Sequence, residues 1–347
     1  MGGDAHLGCT NRYTSLTIDK RSDDRGIIVR KIILDVDTGT DDAVAIMMAG
    51  LHPELRLVAC TTVNGNVPVG NCTDNTLRTL NLIGRDDVPV YEGLNQPIAR
   101  LDFPVPRAMK KDVQVHMAEL PFPPARSTKQ TMSAPEFLVK AFAGEHRDAV
   151  LVPVGPLSNI AAAIKLDPNF VNNVSEVMIM GGAVDKSNIT ASAEFNIWAD
   201  PEAAHVVFEA GFKKITLVPL DATHRALVSL DQCSAMRALG TPAGAAAAQV
   251  IEHRIKGYQT FQPTGILETA PVHDALCIAA LVRPEVITTR HLNCVIETKG
   301  DYTIGRTVVD HEFRTKREPN CHVALDADRD LFVSILIETF GRSHQSV

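Results

Sequence analysis

No run in this chain of 347 residues approaches the roughly 18 consecutive apolar residues of a membrane span, so no transmembrane helix is expected. A basic surplus is missing too. The formal net charge is −7, aromatics make up 5% of the residues, and no basic stripe is interleaved with them, which argues against nucleic-acid binding. Cys-x-x-Cys pairs are absent, and the seven cysteines (Cys9, Cys60, Cys72, Cys233, Cys277, Cys294, Cys321) are scattered and odd in number. Neither a zinc site nor a disulfide framework is indicated, and reduced thiols in a cytoplasmic protein are expected. The first 30 residues contain no apolar segment of the secretory kind and read as a flexible extension. Without secretion, the glycosylation-like triplets at Asn71, Asn173 and Asn188 are chance matches. No linker interrupts the alternation of strand and helix patterns from Lys31 onward, so residues 31–341 are expected to form one domain with a sizeable core.

What the chain does have is concentrated between Lys31 and Ile46. Ile32 to Leu34 form a short apolar run suited to a strand buried on both faces; Asp35, Asp37, Asp41 and Asp42 follow within eight positions, with Gly39 as the turn residue, and a helical pattern begins at once. The carboxylates therefore sit at the C-terminal end of a strand, where open α/β sheets place their ligands. Four like charges this close repel one another and raise each other's pKa unless something neutralises them. A divalent cation held by oxygen is the simplest neutraliser. Calcium accepts six to eight oxygens at roughly 2.3–2.6 Å, more tolerantly than magnesium. An EF-hand is excluded, because Thr40 and Ile46 stand where its loop needs Gly and Glu. An aspartyl-phosphate phosphatase also begins with a strand and Asp-x-Asp, but it needs Thr or Val where Gly39 stands.

Further strand patterns cover Leu57 to Val63, Val88 to Tyr91, Ala149 to Val154, Val177 to Met180 and Ile215 to Leu220, with helices from Asn75 to Ile83, from Ser133 to Ala143, from Leu157 to Leu166, from Asp200 to Gly211 and from Thr241 to Tyr258. A helix opening at His273 and a closing one from Asp330 to Phe340 complete the set. The proline-rich segment 94–131 and the shorter 259–270 lack periodicity and read as binding loops. Val295–Glu297 with Thr303–Val309 suggests a peripheral hairpin. Five strand ends thus deliver Asp35 and Asp37, Asn66, Val154, Met180 and Asp221 to one edge of a mostly parallel, doubly wound sheet.

Six further motifs, in order, carry a resemblance: Thr61-Thr-Val-Asn-Gly-Asn66, Pro153-Val-Gly-Pro-Leu-Ser-Asn159, Met180-Gly-Gly, Ala193-Glu-Phe-Asn196, Asp200-Pro-Glu-Ala-Ala-His205 and Val272-His-Asp274. Together with Lys31 to Ala45, and continuing to about Phe340, the chain resembles the nucleoside hydrolases, the inosine-uridine-preferring N-ribohydrolases. The resemblance implies a Rossmann-like fold and calcium-dependent hydrolysis of ribonucleosides to free base and ribose. Asp37, Asp42, Asp274 and the Val154 carbonyl would bind calcium, and Asp37 would serve as general base for a metal-bound water that attacks with inversion. Asp41, Asn66, Asn188, Glu194 and Asn196 would hold the ribose, with Asn196 also counted among the catalytic groups and Met180 against the sugar. His273, with a pKa near neutrality, would protonate the leaving base, and Phe195, Arg254 and Tyr258 would contact it. Asp221 is expected to buttress the site and His224 to be structural. A homodimer or homotetramer follows from the resemblance alone. Where many members carry a glycine-rich His-Gly segment, this chain has Val113-Gln-Val-His116 and continues to Pro124, so base preference stays open and His116 is assigned no role. The rival of another class is a nucleoside- or ribose-binding protein without turnover.

Overall fold

The computed structural model describes residues 29–101 and 115–342. The extension expected over 1–30 lies, but for its last two residues, outside them, as does the 102–114 part of the first loop. In chain order the strands are β1 (Arg30–Val36), β2 (Leu55–Thr62), β3 (Val90–Glu92), β4 (Val150–Pro153), β5 (Val177–Met180), β6 (Ile215–Val218), β7 (Leu227–Ser229), β8 (Thr269–Pro271), β9 (Ile287–Ile296), β10 (Thr307–Asp310) and β11 (Cys321–Ala327).

Nine of these make one sheet in the order β10-β9-β11-β6-β5-β4-β1-β2-β3. The run from β11 to β3 is parallel throughout, and β9 pairs antiparallel with both β11 and β10. Helices cover both faces, and the strands alternate accordingly. Ile32 and Leu34 enter one core cluster while Ile33 enters the other, all three fully buried. A strand apolar on both faces is what such a sheet selects, and each such side chain contributes about 1.5–3 kcal/mol by leaving water.

Starting at Thr40, the helix Thr40–Leu51 is buried on every side from Thr40 to Ala49. It packs against helices Pro242–Phe261 and His273–Val282. Three elements that carry site residues are thereby locked to one another. The helix expected from Asn75 begins earlier, as Val69–Leu82, with Pro68 before its first turn and Gly84 in the left-handed region after its end. Its polar first half hid it, because several of those polar groups bond to a neighbouring loop rather than to water.

The expected peripheral hairpin is larger than the sequence suggested. It pairs β9 with β10, and β11, which sequence patterning missed, joins it to β6, so the hairpin is an extension of the main sheet. Thr303 belongs to the turn rather than to the strand. A separate two-stranded sheet of β7 and β8 was also unforeseen. No helix among the described residues is long and apolar enough to cross a membrane.

Candidate active site

Outward from β1, the sheet runs β1-β2-β3 one way and β1-β4-β5-β6 the other, so the chain reverses its winding between β1 and β4. A crevice opens at such a switch point, beyond the carboxyl ends of the strands. Asp37 is the first residue past β1 and Val154 the first past β4, Met180 ends β5, and Asn66 lies in the turn after β2. Asp221 departs from expectation: β6 stops at Val218, and the Asp221 carboxylate turns back to accept from the Val184 and Asp185 amides at 2.7 and 3.1 Å, buttressing the loop after β5.

The carboxylates behind the crevice are tightly built. Asp42 accepts from the Asp37 amide (3.1 Å), the Gly39 amide (2.9 Å) and Asn66 Nδ2 (3.2 Å). Asp37 Oδ2 accepts from the Asn66 amide at 2.6 Å, whereas its Oδ1 is buried with no hydrogen-bond partner. Gly65 permits this closeness, since a Cβ there would lie 1.9 Å from Asp37 Oδ2. Carboxylate oxygens of Asp41, Asp42 and Asp274 all lie within 4.8 Å of one another. Asp37 stands outside that triad but feels it electrostatically. Burial first, then the charge of Asp42, pushes the Asp37 pKa well up; burial, then Asp41, does the same to Asp274, and raises Asp42 to about 6.

Crowded, buried, all-oxygen donors with an unpaired Asp37 Oδ1 fit a hard divalent cation. The Val154 carbonyl adjoins them and accepts from Asn196 Nδ2 at 2.7 Å.

In front lies a cavity of about 110 Å³ lined by Asp41, Asn66, Val154, Met180, Asn188, Glu194, Phe195, Asn196, Arg254, Tyr258, His273 and Asp274, together with Gly65, Val115, His116, Ile189 and Gln262. The first twelve are expected site residues, and the cavity brings them together; Asp37 and Asp42 sit behind its wall. Glu194 caps the short helix Phe195–Ala199, accepting from the Asn196 and Ile197 amides, and also from Gly182 N at 2.7 Å. Burial raises its carboxyl to about 7 despite these donors. Asn188 accepts from the Phe195 amide at 2.9 Å, which leaves its amide NH₂ for the cavity.

Two expected roles change. Arg254 is buried and holds Asp41 at 2.8 Å, while donating to Thr40 Oγ1 and the Pro271 carbonyl, so it neutralises and orients Asp41 instead of reaching freely for a base. His273 is not an imidazolium poised near neutrality. Burial first, then Arg254, drives its pKa well down. Its Nδ1 lies 2.7 Å from Thr223 Oγ1 and its Nε2 lies 2.5 Å from the Tyr258 hydroxyl, so both ring nitrogens are engaged by hydroxyls. His224 lies alongside, with ring centroids 5.7 Å apart, and does not line the cavity.

Val115, Ile189 and Gln262 escaped sequence reading, and His116 was noted there without a role. Gln262 follows Arg254 and Tyr258 at i, i+4, i+8, a helical stripe that was available to be read. Val115 and His116 are brought in by a loop without periodicity, and only the tertiary fold reveals them.

A sequence profile described as inosine-uridine preferring nucleoside hydrolase matches residues 32–334. Among curated proteins, the pyrimidine-specific ribonucleoside hydrolase RihA of Citrobacter koseri is 36% identical over 307 residues, 88% of this chain and 96% of that one. The protein of the same description from Shewanella woodyi is 36% identical over 318 residues, 91% and 100% of the two chains. Among solved structures, the purine-preferring ribonucleoside hydrolase from Gardnerella vaginalis superposes with a TM-score of 0.82 at 30% identity, covering 90% of this chain and 98% of its own. The plant nucleoside hydrolase PpNRh1 gives 0.82 at 27% identity, with 91% and 99% covered.

Proposed function

Because the chain belongs to the inosine-uridine preferring nucleoside hydrolase family and is a ribonucleoside hydrolase, we propose that it works with calcium, by direct attack of water on the anomeric carbon, and that it prefers pyrimidine ribonucleosides. The observation that carries the reading is one cavity whose floor backs onto buried carboxylates and whose walls present Asp41, Asn66, Asn188, Glu194 and Asn196. Residues 31–341 act as one catalytic domain, in the cytoplasm, as a homodimer or homotetramer; sedimentation tests the last point.

Calcium would be held by Asp42, Asp274 and the Val154 carbonyl with Asp37 beside them, and when bound it supplies positive charge that lets these carboxylates stay ionised and makes a nearby water more acidic. Asp37 takes the proton of the attacking water through its unpartnered Oδ1. Asp41, held in place by Arg254, accepts from ribose hydroxyls. Asn188 donates, and Glu194 and Asn196 fix the sugar's far side; these contacts tighten as the ring flattens toward an oxocarbenium-like transition state. A deoxyribonucleoside leaves such buried partners unsatisfied and is rejected strongly. On the leaving side, Tyr258 faces the cavity with its hydroxyl bound to His273 Nε2, a pair that orients the departing base while the proton the base takes up comes from solvent. Attack opposite the leaving base, without a covalent intermediate, gives inversion. The pyrimidine preference is drawn from the curated relatives named above.

The test is release of base and ribose from uridine, cytidine, inosine and adenosine, with calcium and with chelator, alongside Asp37→Asn. Expected are turnover fastest on the pyrimidines, loss on chelation and loss in the variant. Turnover indifferent to chelator, or a trapped ribosyl-enzyme, would refute the mechanism. Calorimetric binding without base release would favour the binding-protein reading.

A further inference from the structure

The wall of the cavity contributed by residues 115 and 116 is held by a ladder on one face of helix Val69–Leu82. Asn71, Asn75, Arg78 and Asn81 recur at helical spacing, and each bonds to the returning limb of the first loop. Asn71 Nδ2 donates to Ala118 O at 3.1 Å and Arg78 Nη1 to Phe122 O at 3.4 Å. Asn81 Oδ1 accepts from the Arg126 and Ser127 amides at 2.5 and 3.2 Å.

Asn75 differs from its neighbours in what it joins. Fully buried, it donates to Ala118 O (3.3 Å) and accepts from the Leu120 amide (2.9 Å), and the same Nδ2 donates to Thr38 O (3.0 Å) in the carboxylate turn. One side chain therefore clips the limb directly to the loop that carries Asp37, Asp41 and Asp42. Two residues upstream of that clip, His116 sits with Nδ1 3.7 Å from Asp41 Oδ1, and that buried nitrogen has no hydrogen-bond partner. It also packs on Gly39, where a Cβ would approach Nδ1 to 2.1 Å. With Nδ1 unbonded, the ring takes its place from the limb that carries it. That limb is tied to the turn at two points, Asn75 and the 3.3 Å bond from Thr40 Oγ1 to Val115 O.

We propose that Asn75 is a positioning residue for the nucleoside cavity: it fixes the register of 115–120 on the carboxylate turn and so sets His116 against Asp41. The proposal rests on the reading of that cavity as the nucleoside site. Asn81 is its built-in control, since it holds the same limb by a similar number of bonds at 126–127, beyond the cavity's lining.

Asn75→Ala and Asn81→Ala are compared in the calcium-loaded protein for melting temperature, kcat, KM and the rate at which diethylpyrocarbonate modifies His116, read by mass spectrometry. Both lower the melting temperature. Asn75→Ala alone raises KM about tenfold with kcat within about threefold, and speeds His116 modification severalfold. Added to His116→Ala, it raises KM no further, because both act through the same ring. Equal KM for the two asparagine variants, an unchanged modification rate in Asn75→Ala, or additivity with His116→Ala would overturn the proposal. Should Asn75→Ala not fold, Asn75→Ser is measured in its place and judged by the same outcomes. Absence of hydrolysis by the unmutated protein would sink the nucleoside reading instead, and the modification rates would still decide what Asn75 does.

Discussion

The floor of the cavity and its rim are built by different means. At the floor, buried Asp37 and Asp42 accept four backbone or side-chain amide hydrogen bonds, and in the adjoining wall buried Glu194 accepts three more from backbone amides. At the rim, the segment after helix Pro242–Phe261 exposes Ile266 and Leu267 at 60% and 84%, and turns through left-handed conformations at Gly265 and Glu268. The floor is preorganised by bonds that do not depend on substrate, as stabilisation of a developing charge requires. The rim segment is bonded largely to itself through Thr264 and Thr269, and contributes Gln262 to the cavity. Relatives described as pyrimidine-specific and as purine-preferring both match this chain over most of its length.

The largest effect expected from breaking the floor is that of Asp37→Asn, which should lower kcat by roughly 10²–10⁴-fold, the usual contribution of a general base. The same change removes a charge from a crowded buried group, so the calcium-free Asp37→Asn variant should melt higher than the calcium-free wild type. Activity lost while stability is gained marks a residue kept for function, and calorimetry beside steady-state kinetics checks both halves.

Next comes Arg254→Met. Removing one partner of a buried ion pair leaves Asp41 uncompensated, at a cost of about 3–5 kcal/mol in denaturant titrations. KM for ribonucleosides should rise as well, since Asp41 loses both its charge balance and its orientation.

Removing the cation should then reverse the pH dependence of stability. Burial raises Asp42 to about 6 and Asp35 and Glu194 to about 7, above their unfolded values near 4. Over that window the folded state keeps protons the unfolded chain has released, so the stability of chelator-treated protein falls as pH rises from about 4 to about 7. Calcium at 100 times its Kd should add about 2.7 kcal/mol and oppose this slope near pH 7. Melting curves across pH with calcium and with chelator test the sign; a chelated protein that gains stability toward neutrality would contradict it.

The smallest effects belong to the rim. Gln262→Ala should change KM by less than about tenfold and unequally between uridine and inosine, whereas Leu267→Ser should leave stability within about 0.5 kcal/mol. Equal effects of Gln262→Ala on both substrates would remove the distinction drawn between rim and floor.

Much of this architecture follows from local patterns. The buried run Ile32–Leu34, Gly39 and the carboxylates set strand, turn and helix within one short stretch, because each signal is carried by neighbours in the chain. The doubly wound sheet was readable in the same way, since strand ends and capped helix starts are sequence-local, whereas most of the twelve expected residues that line the cavity were indicated by the family resemblance. Other features depend on partners remote in the chain. β11 is a strand because β6 and β9 flank it, and the start of helix Val69–Leu82 is polar because it binds the returning limb of the first loop. His116 enters the site on a loop with no period of its own, and Arg254 is spent on an Asp more than two hundred positions away. The sequence by itself determined strands β1 to β6, the carboxylate turn and the chemistry they offer; only the tertiary structure decided that burial lowers the His273 pKa and that Asn75 joins loop to turn. Burial and hydrogen-bond partnership depend on segments distant in the chain, and a local pattern holds no record of which distant group will arrive.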